Sequence, residues 1–176
     1  MFFIFLIFFI GILDQASKFY IVLRLDEGSS IPIIKGIFHL THVHNTGAAF
    51  GIFKGYSYFF ISITVLFLLF FGYMLILRIF RRSYMPGLSG DIDSAVQGKS
   101  KKKYFMDISL RDFNFSETIA LSFIIAGTIG NLIDRIRFGY VIDFIDFRVW
   151  PVFNIADSFI TIGAVILMAS FLRKKG

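Results

Sequence analysis

The sequence predicts an all-α polytopic membrane protein with four transmembrane helices, and three observations carry that expectation. Hydrophobic residues make up 56% of the 176, with 25 phenylalanines and only 17% charged residues, and the mean hydropathy is +0.75, whereas soluble domains are roughly 45–50% apolar and about 25% charged. The run Tyr56–Leu77 carries no charge and is long enough to cross a hydrocarbon core of about 30 Å. The formal charge of +6 is carried by basic blocks beside apolar runs, where lysine and arginine read as topology signals rather than as a nucleic-acid footprint. The length accommodates a single membrane domain, and the absence of cysteine excludes disulfides, thiol catalysis and cysteine-ligated metals.

The spans follow in order. Residues 2–23 form the first, apolar through Leu13, interrupted by Asp14, Gln15 and Lys18, and resumed from Phe19. With no basic residue ahead of the run and no small-residue cleavage site after it, this reads as an uncleaved span rather than a signal peptide. Residues 56–77 form the second. The third and fourth, 116–136 and 157–172, have uncharged stretches shorter than a full crossing, so Glu117, Asp134 and Asp157 at their ends belong at or just inside an interface. Arg78, Arg81, Arg82, Lys99, Lys101, Lys102, Lys103 and Arg111 assign the loop 78–115 to the cytoplasm, together with the tail Arg173-Lys174-Lys175. Loops 24–55 and 137–156 then face outward and both termini inward. Ser83 to Asn114, with its Pro-Gly and Ser-Gly pairs and lysine run, reads as a solvated tether.

Ionisable groups in spans are costly, so each demands a reason. The topology brings Asp14, Asp134, Asp143 and Asp157 to one face. Ion pairing is one reason, Asp14 with Lys18 at i+4, Asp134 with Arg135 or Arg137, and Asp146 with Arg148. Residues 141–147 read as a short strand on which Asp143 and Asp146 point to opposite faces. Asn154 is a candidate helix cap and Asp157 a first-turn acid. Two carboxylates at one apolar, partly wet boundary could also share a proton and work as a general acid and base on an amide. His39, His42 and His44 read as interfacial or solvent-exposed rather than as a metal site. The segment Asn45-Thr46-Gly47-Ala48-Ala49-Phe50-Gly51 suits a loop bordering a substrate. On these residues alone a carrier or channel and a non-catalytic subunit stand beside the peptidase, though acids crowded at one boundary suit conduction poorly.

Five motifs in order resemble the lipoprotein signal peptidases (signal peptidase II): Asp14-Gln15-Ala16-Ser17-Lys18; Asn45 to Gly51; Gly130-Asn131-Leu132-Ile133-Asp134-Arg135; Val141-Ile142-Asp143-Phe144; and Phe153-Asn154-Ile155-Ala156-Asp157-Ser158. The resemblance implies a bacterial inner-membrane aspartyl endopeptidase with four spans and a small extracytoplasmic β-rich cradle. Its substrates would be diacylglyceryl-modified prolipoproteins, cut just before the lipidated cysteine. By motif, Asp143 and Asp157 match the catalytic dyad. Asp14, Lys18, Asn45, Gly47, Asn131, Asp134, Arg135, Asn154 and Ala156 match positions that line or brace the site. The resemblance further implies no metal and no cofactor, no nucleic-acid partner, contact with membrane lipid, and inhibition by the cyclic peptide globomycin. The long loop 78–115 and the absence of basic residues ahead of the first span depart from the family pattern.

Overall fold

A computed structural model of the chain describes residues 2–47, 55–84 and 113–173. Residues 48–51 of the small-residue motif, the loop lysines and the C-terminal Lys174 and Lys175 lie outside the described residues. The order is α1 (Phe2–Arg24), β1 (Ser30–Ile34), β2 (Phe38–Asn45), α2 (Ser57–Tyr84), α3 (Phe115–Phe138), β3 (Val141–Asp146) and α4 (Ile155–Arg173). Among the described residues, α1, α3 and α4 are long and apolar enough to cross a membrane, and α2 contributes a shorter described apolar stretch, Ser57–Tyr73. The chain is a multi-pass membrane protein.

It divides into two compact units, residues 1–64 with 114–176, and residues 65–113. The second contains the later turns of α2, where Phe67 and Phe71 stack at 6.5 Å one turn apart.

In the first unit α3 packs along both α1 and α4. Its buried face is a stripe of small and polar residues, Ala120, Ala126, Gly127, Gly130, Asn131 and Asp134, and α4 answers with Ala156, Gly163 and Ser170. Small side chains let helix backbones approach where lipid supplies no hydrophobic drive. Phe5, Phe8, Ile12 and Phe19 of α1 are exposed, as a lipid-facing surface requires. Helix α3 begins at a reciprocal cap: Asn114 accepts from the Glu117 N–H at 2.8 Å and the Glu117 carboxylate accepts from the Asn114 N–H at 2.9 Å. Ser170 of α4 donates to the same carboxylate at 3.0 Å, so the buried Glu117 ties the two helices. Gly139, at φ 80°, ends α3 in the left-handed conformation and turns the chain directly into β3.

The strands form one antiparallel sheet in the order β1-β2-β3. β2 meets β3 in the register Val43 opposite Asp143 and Asn45 opposite Val141, with an irregularity between Leu40 and Val43. After β3, Phe153 exchanges hydrogen bonds with Ile145 at 2.7 and 3.1 Å, returning the chain beneath the strand where α4 starts. Ile21, Leu25 and Phe144, packed with Leu40, Ile145 and Ile155, join the end of α1 to the sheet and to α4.

Candidate active site

Asp143 lies on β3 and Asp157 in the first turn of α4, and both line a cleft of about 820 Å³. Asp143 is 1% exposed. One carboxyl oxygen accepts from Asn45 Nδ2 at 2.8 Å, the other from Asn154 Nδ2 at 2.7 Å. Asn45 in turn accepts from the Gly47 N–H at 3.0 Å, which fixes which end of its amide faces Asp143. Burial, then the nearby Asp157 carboxylate, push the Asp143 carboxyl up from 3.8 to about 7, against the two amide donors and the charge of Lys18.

Asp157 accepts from Asn131 Nδ2 at 2.7 Å. Its own N–H donates to Asn154 Oδ1 at 2.9 Å, so Asn154 caps α4 with its oxygen while its nitrogen holds Asp143. Asn131 Oδ1 accepts from Lys18 Nζ and from Asn154 Nδ2, each at 3.1 Å. An ammonium can only donate, so Lys18 fixes the Asn131 amide with its NH2 toward Asp157.

Behind the cleft Lys18 is 1% exposed and pairs with Asp14 at 2.8 Å and Asp134 at 2.9 Å. Asp14 at i+4 agrees with the sequence expectation. The expected pairing of Asp134 with Arg135 or Arg137 is corrected: Arg135, the next residue on the helix, points apart, Arg137 lies over the Phe138 ring at 5.0 Å, and α1 delivers Lys18 across the α1–α3 contact instead. The same carboxylates reach onward, Asp14 accepting from the Ala156 N–H at 2.9 Å and Asp134 from the Ile142 N–H at 3.2 Å. One buried ion cluster therefore grips the backbone just ahead of both cleft aspartates. Gln15, outside the sequence-derived site set, donates to Asp134 at 2.9 Å and to the Gly130 carbonyl at 3.2 Å. Its signal was its intrusion, with Asp14 and Lys18, into an apolar run.

Arg135 lines the cleft, donates to the Gly47 carbonyl at 3.4 Å and lies over the Phe60 ring at 5.1 Å. Asp146 belongs elsewhere, accepting from Thr41 at 2.7 Å and pairing with Arg148 at 3.5 Å, in keeping with opposite strand faces. Desolvation raises its pKa, but the Thr41 hydroxyl, the Arg148 N–H and guanidinium, and His39 outweigh it and hold the carboxyl below its ordinary value. Of the histidines expected to be interfacial or solvent-exposed, His42 is not solvent-exposed: it is 4% exposed with Nδ1 at 2.8 Å from the Leu25 carbonyl. His44 stacks on Tyr140 at 3.8 Å and meets Glu27 at 3.0 Å.

Three kinds of comparison place this arrangement among known proteins. The profile of the family described as signal peptidase (SPase) II matches residues 6–90 and 104–173. The lipoprotein signal peptidase of Halothermothrix orenii is 42% identical over 157 residues, covering 89% of this chain and 86% of that relative. That of Caldanaerobacter subterraneus subsp. tengcongensis is 40% identical over 169 residues, 96% and 94% of the two chains. A bacterial membrane enzyme solved by the in meso method at 2.3 Å resolution superposes with a TM-score of 0.71 at 29% identity, over 99% of this chain and 89% of that one. A second such enzyme, at 1.9 Å, gives 0.67 at 30% identity, over 97% and 92%.

Proposed function

The chain belongs to the signal peptidase II family, proteases that remove signal peptides from lipoproteins, and from that premise we propose that Asp143 and Asp157 are the catalytic dyad of an aspartyl endopeptidase. Its substrates are diacylglyceryl-modified prolipoproteins, cut just before the lipidated cysteine. One observation carries the reading: a buried carboxyl group on β3 and a half-buried one on α4 line one cleft and are linked through Asn131 and Asn154.

With its carboxyl pushed up to about 7 by burial and the nearby Asp157, Asp143 carries a proton in a substantial share of molecules at neutral pH and is assigned the acid. Asp157 sits in the first turn of α4, where free N–H groups favour negative charge, and acts as base. Asp157 takes a proton from water as the water oxygen bonds to the scissile carbonyl carbon, while Asp143 gives its proton to the carbonyl oxygen. In the second step Asp157 returns its proton to the amide nitrogen and Asp143 recovers one from a hydroxyl. The carbon–nitrogen bond breaks and the carboxylic acid and amine separate. Every proton is accounted for by side chains and water. Asn45, the Gly47 carbonyl and Arg135 line the same cleft and suit an extended backbone, whose amides need partners that a helical signal segment satisfies within itself.

The wider reading keeps α2 as the fourth span, the sheet and dyad at the extracytoplasmic face, both termini in the cytoplasm of a bacterial inner membrane, and globomycin as an inhibitor in the cleft. The crowding of Lys and Arg after α2 and at the C-terminus supports this orientation.

The test is cleavage of a diacylglyceryl-modified prolipoprotein by the purified protein in lipid. Wild type is expected to cut before the modified cysteine, while Asp143→Asn and Asp157→Asn bind substrate without cutting it. Retained cleavage by Asp143→Asn with loss in Asp134→Asn would move the dyad to Asp134, and a folded wild type that cuts nothing would end the enzymatic reading.

A further inference from the structure

Between β3 and α4 the chain turns on Arg148. Its φ is 65° and the Val149 N–H donates to the Phe147 carbonyl at 2.8 Å, so Phe147–Val149 is a three-residue turn with a positive φ at its centre, the rare and strained form. A residue with a Cβ keeps such a conformation only where its surroundings hold it there. Four contacts hold Arg148. Its N–H donates to Asp146 at 2.8 Å, its guanidinium donates to Ser30 Oγ at 3.0 Å and to His39 Nδ1 at 2.6 Å, and it pairs with the Asp146 carboxylate at 3.5 Å. Phe147, Val149 and Trp150 beside it all line the cleft that Asp143 and Asp157 share. What fixes Arg148 therefore fixes part of the cleft lining.

The shortest of these contacts depends on a proton. A guanidinium can only donate, so Nδ1 of His39 must offer its lone pair, which it does in the neutral ring with the hydrogen on Nε2. Nε2 itself has no hydrogen-bond partner among the described residues, so Nδ1 carries the polar contacts of the ring. The charged groups facing His39, among the described residues, are Asp146, opposite it on β3, and Arg148 from the turn. β1 brings Pro32 opposite it and the Ser30 hydroxyl at 3.3 Å, neither of which titrates. A proton on Nδ1 removes the acceptor and sets a second cation against the guanidinium. Asp146, already accepting from Thr41 and from the Arg148 N–H, is then left to serve both cations.

Resting on the function proposed above for what the cleft binds, we propose that Arg148 is a positioning residue for the cleft and that its contact with His39 is a latch, closed while the imidazole is neutral and released when it takes up a proton. With the latch closed the strained turn is held, and Phe147, Val149 and Trp150 keep their places in the lining. With it released, the strain at Arg148 loses its shortest counter-contact and the turn relaxes. Histidine is the side chain that ordinarily changes charge between about pH 5 and 8. On the proposed orientation the sheet stands outside the cytoplasm, so substrate binding follows the acidity of that compartment.

Trp150 is the single tryptophan of the chain, so its fluorescence in the purified protein in lipid reads the turn without any substrate. Wild-type emission is expected to shift reversibly between about pH 8 and 5. His39→Asn puts an amide oxygen where Nδ1 stands, an acceptor that does not titrate, and is expected to keep the neutral-pH spectrum throughout. Arg148→Ala is expected to show the acid spectrum at every pH. With a diacylglyceryl-modified prolipoprotein, wild-type KM should rise roughly fivefold from about pH 7 to 5.5, and the KM of His39→Asn should stay level, while the effect of acid on kcat through the dyad is common to both. A wild-type emission that does not move, or a shift in emission or KM that His39→Asn shares, overturns the latch. So does an Arg148→Ala protein with wild-type spectrum and KM at pH 7. Failure of the wild type to cut any prolipoprotein would end the proposed function instead, and the fluorescence would still decide the latch.

Discussion

In the proposed two-carboxyl mechanism the acid limb and the alkaline limb belong to different residues, and Asp143 sets the alkaline one. Its carboxyl, held near 7 by burial and the facing Asp157, must be protonated to donate to the substrate carbonyl. We predict that kcat/KM falls above an apparent pKa near 7 and that a profile flat to pH 9 would exclude Asp143 as the acid. For stability the sign is the reverse of the usual carboxylate: the folded state binds this proton more tightly than the unfolded state, whose group titrates near 3.8. Its contribution is full below about pH 4 and lost as pH rises through 7. Lys18 gives a second prediction. With Asp14 and Asp134 within 2.9 Å and the ammonium buried, Lys18→Met leaves two buried carboxyl groups without their cation. Such a loss costs about 3–5 kcal/mol, and thermal unfolding in lipid should show it as a lowered Tm, with little activity recovered even in the folded fraction. The i+4 half of this cluster was legible in the sequence because helical spacing is local. The Asp134 half was not, because its partner stands on another helix and no spacing rule reaches across 116 residues.

Helices and strands differed in how far the sequence exposed them, for a physical reason. An apolar run declares a helix without reference to any partner, so α1, α3 and α4 begin and end within a few residues of the stretches 2–23, 116–136 and 157–172. β3 was also legible, because Val141 to Asp146 is short and bounded by turns. β1 and β2 were not read from the residues at all. β1 is exposed along its whole length and shows no alternation, and β2 finds β3 only across about a hundred residues. The cap at Asn154 was legible and the interhelical tie through Glu117 was not, since capping is local and Ser170 is distant. Packing between elements yields a third prediction. A Cβ on Gly130 would stand 2.6 Å from Asp14 Oδ2, too close for either atom to stay. Gly130→Ala should therefore displace the Asp14 carboxylate from Lys18 and from the Ala156 N–H, at a cost of about 1–3 kcal/mol, and lower kcat by moving the first turn of α4. If its Tm and kcat both match wild type, the α1–α3 contact is looser than the geometry requires.

At the scale of the molecule, the residues of the proposed chemistry and the internal stretch that the family profile omits fall in different parts of the sequence. Every side chain of the cleft and of the Lys18 cluster lies in residues 1–64 and 114–176, one of the two compact units. The profile matches residues 6–90 and 104–173, so residues 91–103, with all four loop lysines, fall between the matched segments. The sequence reading of 83–114 as a solvated tether concerns mostly residues outside those described here. A tether contributes through its reach and charge, and reach changes slowly with length, since loop-closure entropy grows only logarithmically. The basic residues on which the proposed orientation rests include Arg78, Arg81 and Arg82, which precede the unmatched stretch, and Arg111, which follows it. Deleting residues 91–103 should therefore preserve both topology and catalysis: protease accessibility of the termini in membrane vesicles unchanged, and prolipoprotein cleavage within about twofold of wild type. Correct insertion with lost cleavage would mean that these residues reach the chemistry, and inverted insertion would mean that their lysines, rather than the flanking arginines, hold the loop in the cytoplasm.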